Sequence, residues 1–156
     1  MGKLVGVVVS SLVLSGGMCA LWACESDKAH HGPSAPSIQN LAGTWTLDSL
    51  LGQPFAQLVP QDAAAKRPTL DIRPDGKVSG FAGVNRLTSS LDVEGVKKGQ
   101  FKLSPAAVTR MAGPAYAMAL ESKYLDALNK ATGFRMEGSS LVLLDGTTEM
   151  ASFTRS

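Results

Sequence analysis

A chain of 156 residues with 15 lysines and arginines against 13 aspartates and glutamates has a formal net charge of only +2. That near-balance makes no electrostatic case for nucleic acid or another acidic polymer. Two cysteines and two histidines in the whole chain leave little material for a disulfide framework or a metal centre.

In chain order, the first feature is an uncharged run over residues 4–23, behind the single basic residue Lys3. One positive residue, an apolar stretch and a small residue at its end have the layout of an export signal. The run closes on Leu21-Trp22-Ala23-Cys24, which resembles a lipobox: a leucine three residues before the cysteine, alanine at the cut, and a cysteine that becomes the acylated first residue. Residues 1–23 are therefore expected to be a lipoprotein signal peptide and Cys24 the lipidation site, although Trp22 stands where that pattern has a small residue. Two other readings fit the same run: an uncleaved membrane helix, since about 20 apolar residues cross a bilayer, and a secreted product without lipid. Cys19, after Gly16-Gly17-Met18, matches the pattern poorly and is expected to leave with the signal.

Each acyl methylene buried contributes about 0.8 kcal/mol, and two or three chains give stable attachment where one does not. Glu25 rather than aspartate follows Cys24, which by analogy with enterobacterial sorting favours the outer membrane, facing the periplasm, over the inner one. With Cys19 removed and Cys24 acylated, no free thiol or internal disulfide remains, so packing alone must hold the exported domain. Losing Lys3 leaves 14 basic against 13 acidic residues, a net charge of +1.

Residues 24–40 hold the anchor site and then a polar stretch broken by Pro33 and Pro36, with too little apolar surface to offset the entropy of ordering. They read as a flexible tether. Both histidines, His30 and His31, lie there near Asp27. A weak metal-binding tract is one reading and plain solvation the other; no further ligand at a fixed spacing supports a metal site, and none is assigned. Residues 41–156 are enough for one domain with a single core and too few for two.

From Leu41 the chain alternates with period two. Trp45 and Leu47 alternate with Thr44, Thr46 and Asp48, and Leu70 and Ile72 with Asp71 and Arg73. Turn residues punctuate it at Gly52-Gln53-Pro54, Pro74-Asp75-Gly76, Glu94-Gly95, Glu137-Gly138 and Asp145-Gly146. Strands are expected over residues 43–50, 68–73, 76–82, 86–94, 100–103, 133–137, 140–144 and 149–154. Consecutive apolar residues Leu141 to Leu144 predict a sheet covered on both faces there.

One segment has helical spacing instead. Ala117, Leu120, Tyr124, Leu128 and Ala131 recur on one side, flanked by Met118 and Leu125, with Pro114 as the expected first helical residue and Gly133 as a left-handed cap. This helix should lay its apolar stripe on a curved sheet. A further short helical turn is expected over residues 62–66.

At about 100° per residue, Glu121 projects into the middle of the apolar stripe. A buried, unpaired carboxylate would cost several kcal/mol, so Glu121 should meet a guanidinium or a set of backbone donors. Arg86, in Gly83-Val84-Asn85-Arg86, and Arg110, in Val108-Thr109-Arg110-Met111, are the arginines in suitably apolar surroundings. Glu121, Arg86, Arg110 and Asn85 thus form the candidate cluster, read either as a buried ion pair fixing helix against sheet or as an acid and base facing a cleft.

The chain resembles a known family at these residues. Gly43-Thr44-Trp45, Pro68-Thr69-Leu70, the run from Asp75 through Gly80-Phe81-Ala82-Gly83-Val84-Asn85-Arg86, Thr109-Arg110-Met111-Ala112-Gly113-Pro114, and Met118-Ala119-Leu120-Glu121 look like the ordered blocks of the META domain family, which includes the heat-shock lipoprotein HslJ. The resemblance covers roughly residues 41–154. It implies an α+β fold: a curved antiparallel sheet, an open or partial barrel, with one main packed helix. Where many members have a cysteine before the Asn-Arg pair and another after Met-Ala, this chain has Val84 and Gly113. Losing both together implies that the two form a bridge elsewhere in the family, so these lost disulfide positions should lie close together. For function the resemblance implies envelope or secreted proteins without an established reaction, some linked to stress, drug tolerance, motility or secretion.

The residues point the same way. The exported domain has neither histidine nor cysteine, so the usual general base and thiol nucleophile are missing, and Ser79, Ser89, Ser90 and Ser104 fall in strand or turn contexts without a nucleophile motif. Asp71, Asp75, Asp92 and Glu94 lie at outward or turn positions. Gly80-Phe81-Ala82-Gly83 joins strand to strand without the helix start of a phosphate cradle. No catalytic residue, cofactor or metal is assigned. Two readings remain: an envelope module that binds another protein, with Phe55, Leu58 and Val59 as a partly exposed contact, or a carrier whose curved sheet encloses a lipid or other hydrophobic molecule in a cavity of about 300 Å³ or more.

Overall fold

Short strands and tight turns give a mixed α+β fold in the computed structural model, which describes residues 36–156. In chain order the elements are α1 (Ile38–Leu41), β1 (Gly43–Leu50), β2 (Gln53–Pro54), α2 (Phe55–Leu58), β3 (Thr69–Ile72), β4 (Lys77–Phe81), β5 (Arg86–Ser90), α3 (Val93–Val96), β6 (Ala107–Val108), α4 (Ala115–Lys130), β7 (Gly133–Glu137), β8 (Ser140–Asp145) and β9 (Thr148–Arg155). The nine strands form one antiparallel sheet in the order β6-β5-β4-β3-β1-β9-β8-β7, with β2 a short addition to β1. The sheet is not closed.

The alternation Trp45-Thr46-Leu47 would put Ser49 on the core side, yet it is Leu50 that is buried with Trp45 and Leu47. A bulge explains this. Between β1 and β9, Leu47 pairs with Phe153 and Ser49 with Ser152, so Asp48 is the extra residue and the side-chain phase flips after it. A matching irregularity between β8 and β9 leaves Met150 between Glu149 and Ala151, and Met150 and Ala151 are both buried. Leu141 and Leu143 of β8 enter the main core, while Val142, pointing to the other face, is buried as well.

Helix α4 packs on β9 and β1, burying Ala117, Leu120, Tyr124, Ala127 and Leu128. Tyr124 meets Phe153 edge to face at 6.2 Å and donates to the Thr69 carbonyl at 3.3 Å, so its hydroxyl is satisfied inside the core. On β1, the Trp45 indole donates to the Leu41 carbonyl at 2.8 Å. Arg155 stacks over Trp45 at 4.5 Å and donates to the carbonyls of Ala42 and Asn40 at 3.0 and 2.8 Å. The last strand thereby ties down α1, the entry to the domain.

Several expected boundaries are corrected. Pro114 is the residue before the helix, with extended ψ of 145°, and the helix ends at Ala131 in an extended conformation. No left-handed cap follows, because the Thr132 amide is taken by the Leu144 carbonyl at 2.8 Å and the chain runs straight into β7, which Gly133 opens. The strand expected over 86–94 stops at Ser90. There Asp92 accepts from the amides of Glu94 and Gly95, both at 3.1 Å, and caps α3 instead. Residues 100–103 form no strand but isolated bridges, Gln100 with Gly133 and Leu103 with Leu91. Residues 62–66 form turns closed by Ala63 to Pro60 and Ala65 to Ala63, and the helical turn lies earlier, at α2. Phe55 is buried there under the Arg67 guanidinium at 5.0 Å, and Leu58 and Val59 pack half-buried against the core. Of the three expected contact residues, Phe55 is therefore withdrawn from the surface by this packing, whereas Leu58 and Val59 stay partly exposed.

Among the described residues no helix is long and apolar enough to cross a membrane. The signal segment over 1–23, with Cys19, the anchor Cys24 and the tether histidines His30 and His31, lies outside the described residues.

Candidate functional site

The candidate cluster forms where the turn between β4 and β5 meets α4. After Phe81 the chain turns sharply, closed by the Ala82 amide on the Asn85 carbonyl at 2.8 Å. Gly83 makes this turn with a φ of +128°, and a Cβ there would stand 3.3 Å from the Ala117 carbonyl oxygen and 3.8 Å from the Glu121 amide. Only glycine combines that backbone conformation with so close an approach to a helix. The turn consequently presents two successive backbone N–H groups to the Glu121 carboxylate.

Glu121 Oε2 accepts from the amides of Val84 at 3.1 Å and Asn85 at 2.7 Å, and its Oε1 accepts from Asn85 Nδ2 at 2.9 Å. Asn85 spends the rest of its amide on the segment after β6. Its Nδ2 also donates to the Met111 carbonyl at 3.2 Å, and its Oδ1 accepts from the Met111 amide at 2.7 Å and the Thr109 hydroxyl at 2.9 Å. Thr109 Oγ1 in turn accepts from the Arg86 amide at 3.1 Å. Asn85 is 2% exposed and Glu121 6%. Three chain segments are thus clamped by one carboxylate and one carboxamide, and among the described residues no buried side-chain nitrogen or oxygen lacks a partner.

The buried arginine pair is corrected. Among the described residues neither Arg86 nor Arg110 forms an ion pair with Glu121, and both side chains are exposed. Backbone and carboxamide donors already engage both carboxylate oxygens, and charge-assisted bonds of this kind are about twice as strong as neutral ones. Residue typing missed the Thr109 hydroxyl and the Met111 main chain. The only trace of them is the spacing of Thr109 and Met111 around outward-facing Arg110.

Val84 and Gly113 are neighbours: a Cβ built on Gly113 would lie 3.3 Å from the Val84 Cβ and 2.6 Å from one of its methyls. Bridged cysteines have Cβ atoms about 3.5–4.5 Å apart, so the pair stands at nearly bridging distance.

Around the clamp the surface is dished. One depression of about 540 Å³ is lined by Asn85, Val108, Thr109, Arg110, Met111 and Met118 among others. Another, of about 860 Å³, crosses the outward face of β3, β4 and β5 past Lys66, Phe81, Arg86 and Thr88. A third, of about 320 Å³, lies over Val84, Gly113, Pro114 and Tyr116. All open to solvent and mix cationic, hydroxyl and apolar walls. The interior between sheet and helix is filled by Trp45, Phe101, Tyr124 and Phe153, each essentially inaccessible. Among the described residues no three histidine, cysteine or carboxylate side chains gather where a metal ion would be held.

The family model of the META domain matches residues 39–156. Among solved structures, the chain is similar to a protein from Burkholderia xenovorans determined by NMR, with 26% identity and a TM-score of 0.58 over 76% of this chain and 86% of that one. A second NMR structure is 16% identical with a TM-score of 0.56, covering 76% and 94% of the two chains. The crystal structure of a DUF4847 family protein from Bacteroides vulgatus ATCC 8482 is 14% identical with a TM-score of 0.51, covering 74% and 93%. The latter two likenesses speak to fold alone. No curated protein matches.

Proposed function

Because the chain belongs to the META domain family, we propose that it is a non-catalytic lipoprotein of the bacterial cell envelope. In this reading Cys24 carries the lipid, residues 24–40 tether the domain to the outer membrane, and residues 41–156 serve on the periplasmic side as a protein-interaction module with a stress-related role. The observation that carries it is the use made of the buried polar residues. Glu121 and Asn85, which in an enzyme would be the natural acid and orienting amide, have their atoms committed to bonds that hold the domain together. A general acid or base must reach a substrate proton, and although both residues border the first depression, their polar atoms are already bonded to each other, to Thr109 and to the main chain of Val84, Asn85 and Met111. Work is then left to the surface.

The test is metabolic labelling with palmitate in cells producing the wild-type chain or Cys24→Ser. Label on the wild type, absent from the variant and recovered with the membranes, is the expected result. A wild-type chain that takes up no label, or a variant that labels equally, overturns the anchor.

A further inference from the structure

Near-neutral net charge conceals a local asymmetry around the clamp. The three depressions adjoin: the first two share Thr109 and Met111, and the second and third share Lys66, Phe81 and Val84. Across this surface Lys66, Arg86 and Arg110 are exposed cations with no ion pair among the described residues. Its one carboxylate, Glu121, has both oxygens engaged by Val84 and Asn85. Asp71, a strand position beyond the dished area, accepts from the Thr44 hydroxyl at 3.0 Å. Arg67 at the rim is already paired with Asp48 at 3.2 Å.

The same surface carries exposed apolar side chains. Met111 is 59% and Met118 37% exposed; with Leu51 they are the large hydrophobics left in solvent among the described residues. The register places Phe81 directly beside Arg86 on the outward face. Like charges without countercharge, set around an apolar floor, are best covered by a partner that is both acidic and apolar. Exposed methionines suit a peptide, because their unbranched, polarizable side chains adapt to the groups laid on them. An acyl chain would need an enclosed slot, whereas this surface is shallow, open and extended.

We infer that the surface around Lys66, Arg86, Arg110 and Met111 is a docking site for an acidic segment of another protein, with carboxylates flanking an apolar side chain. The inference rests on the protein-interaction reading above and names the chemistry of the partner.

The full-length chain, in micelles of a neutral detergent, is titrated with short fluorescent peptides alternating glutamate with leucine or lysine with leucine. The glutamate peptide should bind roughly tenfold more tightly and weaken with added salt. Lys66→Glu/Arg86→Glu/Arg110→Glu should lose roughly tenfold of that binding, while Lys98→Glu/Lys102→Glu/Lys123→Glu, with the same change in net charge at exposed sites elsewhere, keeps it. Neutral Lys66→Gln/Arg86→Gln should weaken binding by a smaller factor, which separates lost attraction from misfolding. Equal binding of both peptides, or equal loss in both charge-reversed variants, contradicts the site. So does displacement of the acidic peptide by phosphatidylglycerol mixed into the micelles but not by phosphatidylcholine, which would assign the surface to lipid headgroups. Because detergent replaces the membrane, these outcomes are read whether or not Cys24 is acylated, and a failed palmitate label leaves them intact.

Discussion

Glu121 keeps a carboxylate inside the protein because the amides of Val84 and Asn85 and the Asn85 side chain converge on it. Removing the acceptor strands these donors, and an unmatched buried donor costs about 1–3 kcal/mol. Glu121→Ala should therefore lower unfolding free energy by about 3 kcal/mol or more, read from urea midpoints. Glu121→Gln, which keeps one accepting oxygen, should fall between. A near-neutral alanine variant would show that water replaces the clamp. Tyr124 gives a second residue-scale prediction. Burial pushes its phenol far above its ordinary value, so the neutral form is favoured in the folded protein. Stability from this group is complete below the unfolded value of about pH 10 and declines as pH rises from there toward the raised folded one. Tyr124→Phe should flatten that alkaline loss. The cysteine pair gives a third. Val84→Cys/Gly113→Cys should close under oxidising conditions and, for a loop of about 30 residues, add about 3–4 kcal/mol that reductant removes; two thiols that remain free would contradict the geometry. The position of Glu121 is legible from helical projection alone. Its partners are not, because they are mostly main-chain amides and any residue carries those. The sequence could therefore offer backbone donors only as one alternative to a guanidinium, and of the named candidates Asn85, not Arg86 or Arg110, is the one that reaches the carboxylate.

At the scale of elements, period-two alternation and turn punctuation together located β1, β3, β4, β7, β8 and β9 to within a residue or two, and helical spacing located α4. Departures came where a single side chain or one tertiary bond decides the outcome. Asp92 ends β5's run by capping α3, and Leu144 captures Thr132 before a left-handed cap can form. Residues 100–103 alternate well enough to suggest a strand, but a ladder needs a partner of matching length, and Gln100 and Leu103 find theirs on different segments. One glycine shows how tightly the sheet is built. A Cβ on Gly80 would sit 2.2 Å from the Thr69 carbonyl oxygen of β3, inside van der Waals contact with backbone that has little room to move. Gly80→Ala should destabilise the domain by about 1–3 kcal/mol, as overpacking does, and broaden amide signals of β3 and β4 first. A neutral effect would mean that the two strands can separate at that point without loss.

For the whole molecule, the META blocks carried both family and fold, because several motifs in order constrain topology more than composition does. Beyond the family, function is a proposal. The proposed anchor rests on a local motif, whereas the proposed docking surface could be read only once Lys66, Arg86 and Arg110 are brought together from β5 and from two segments outside the strands. The proposal joins the two: a hydrogen-bonded interior, a cationic and apolar outer face, and a proposed lipid on Cys24. Mass spectrometry of the N-terminal peptide of the protein purified from cell membranes tests this most directly. The account predicts a mature chain that begins at Cys24 and carries the added mass of a diacylglyceryl group, with residues 1–23 gone. A chain found in the cytosol with Met1 in place and Cys24 unmodified would contradict it.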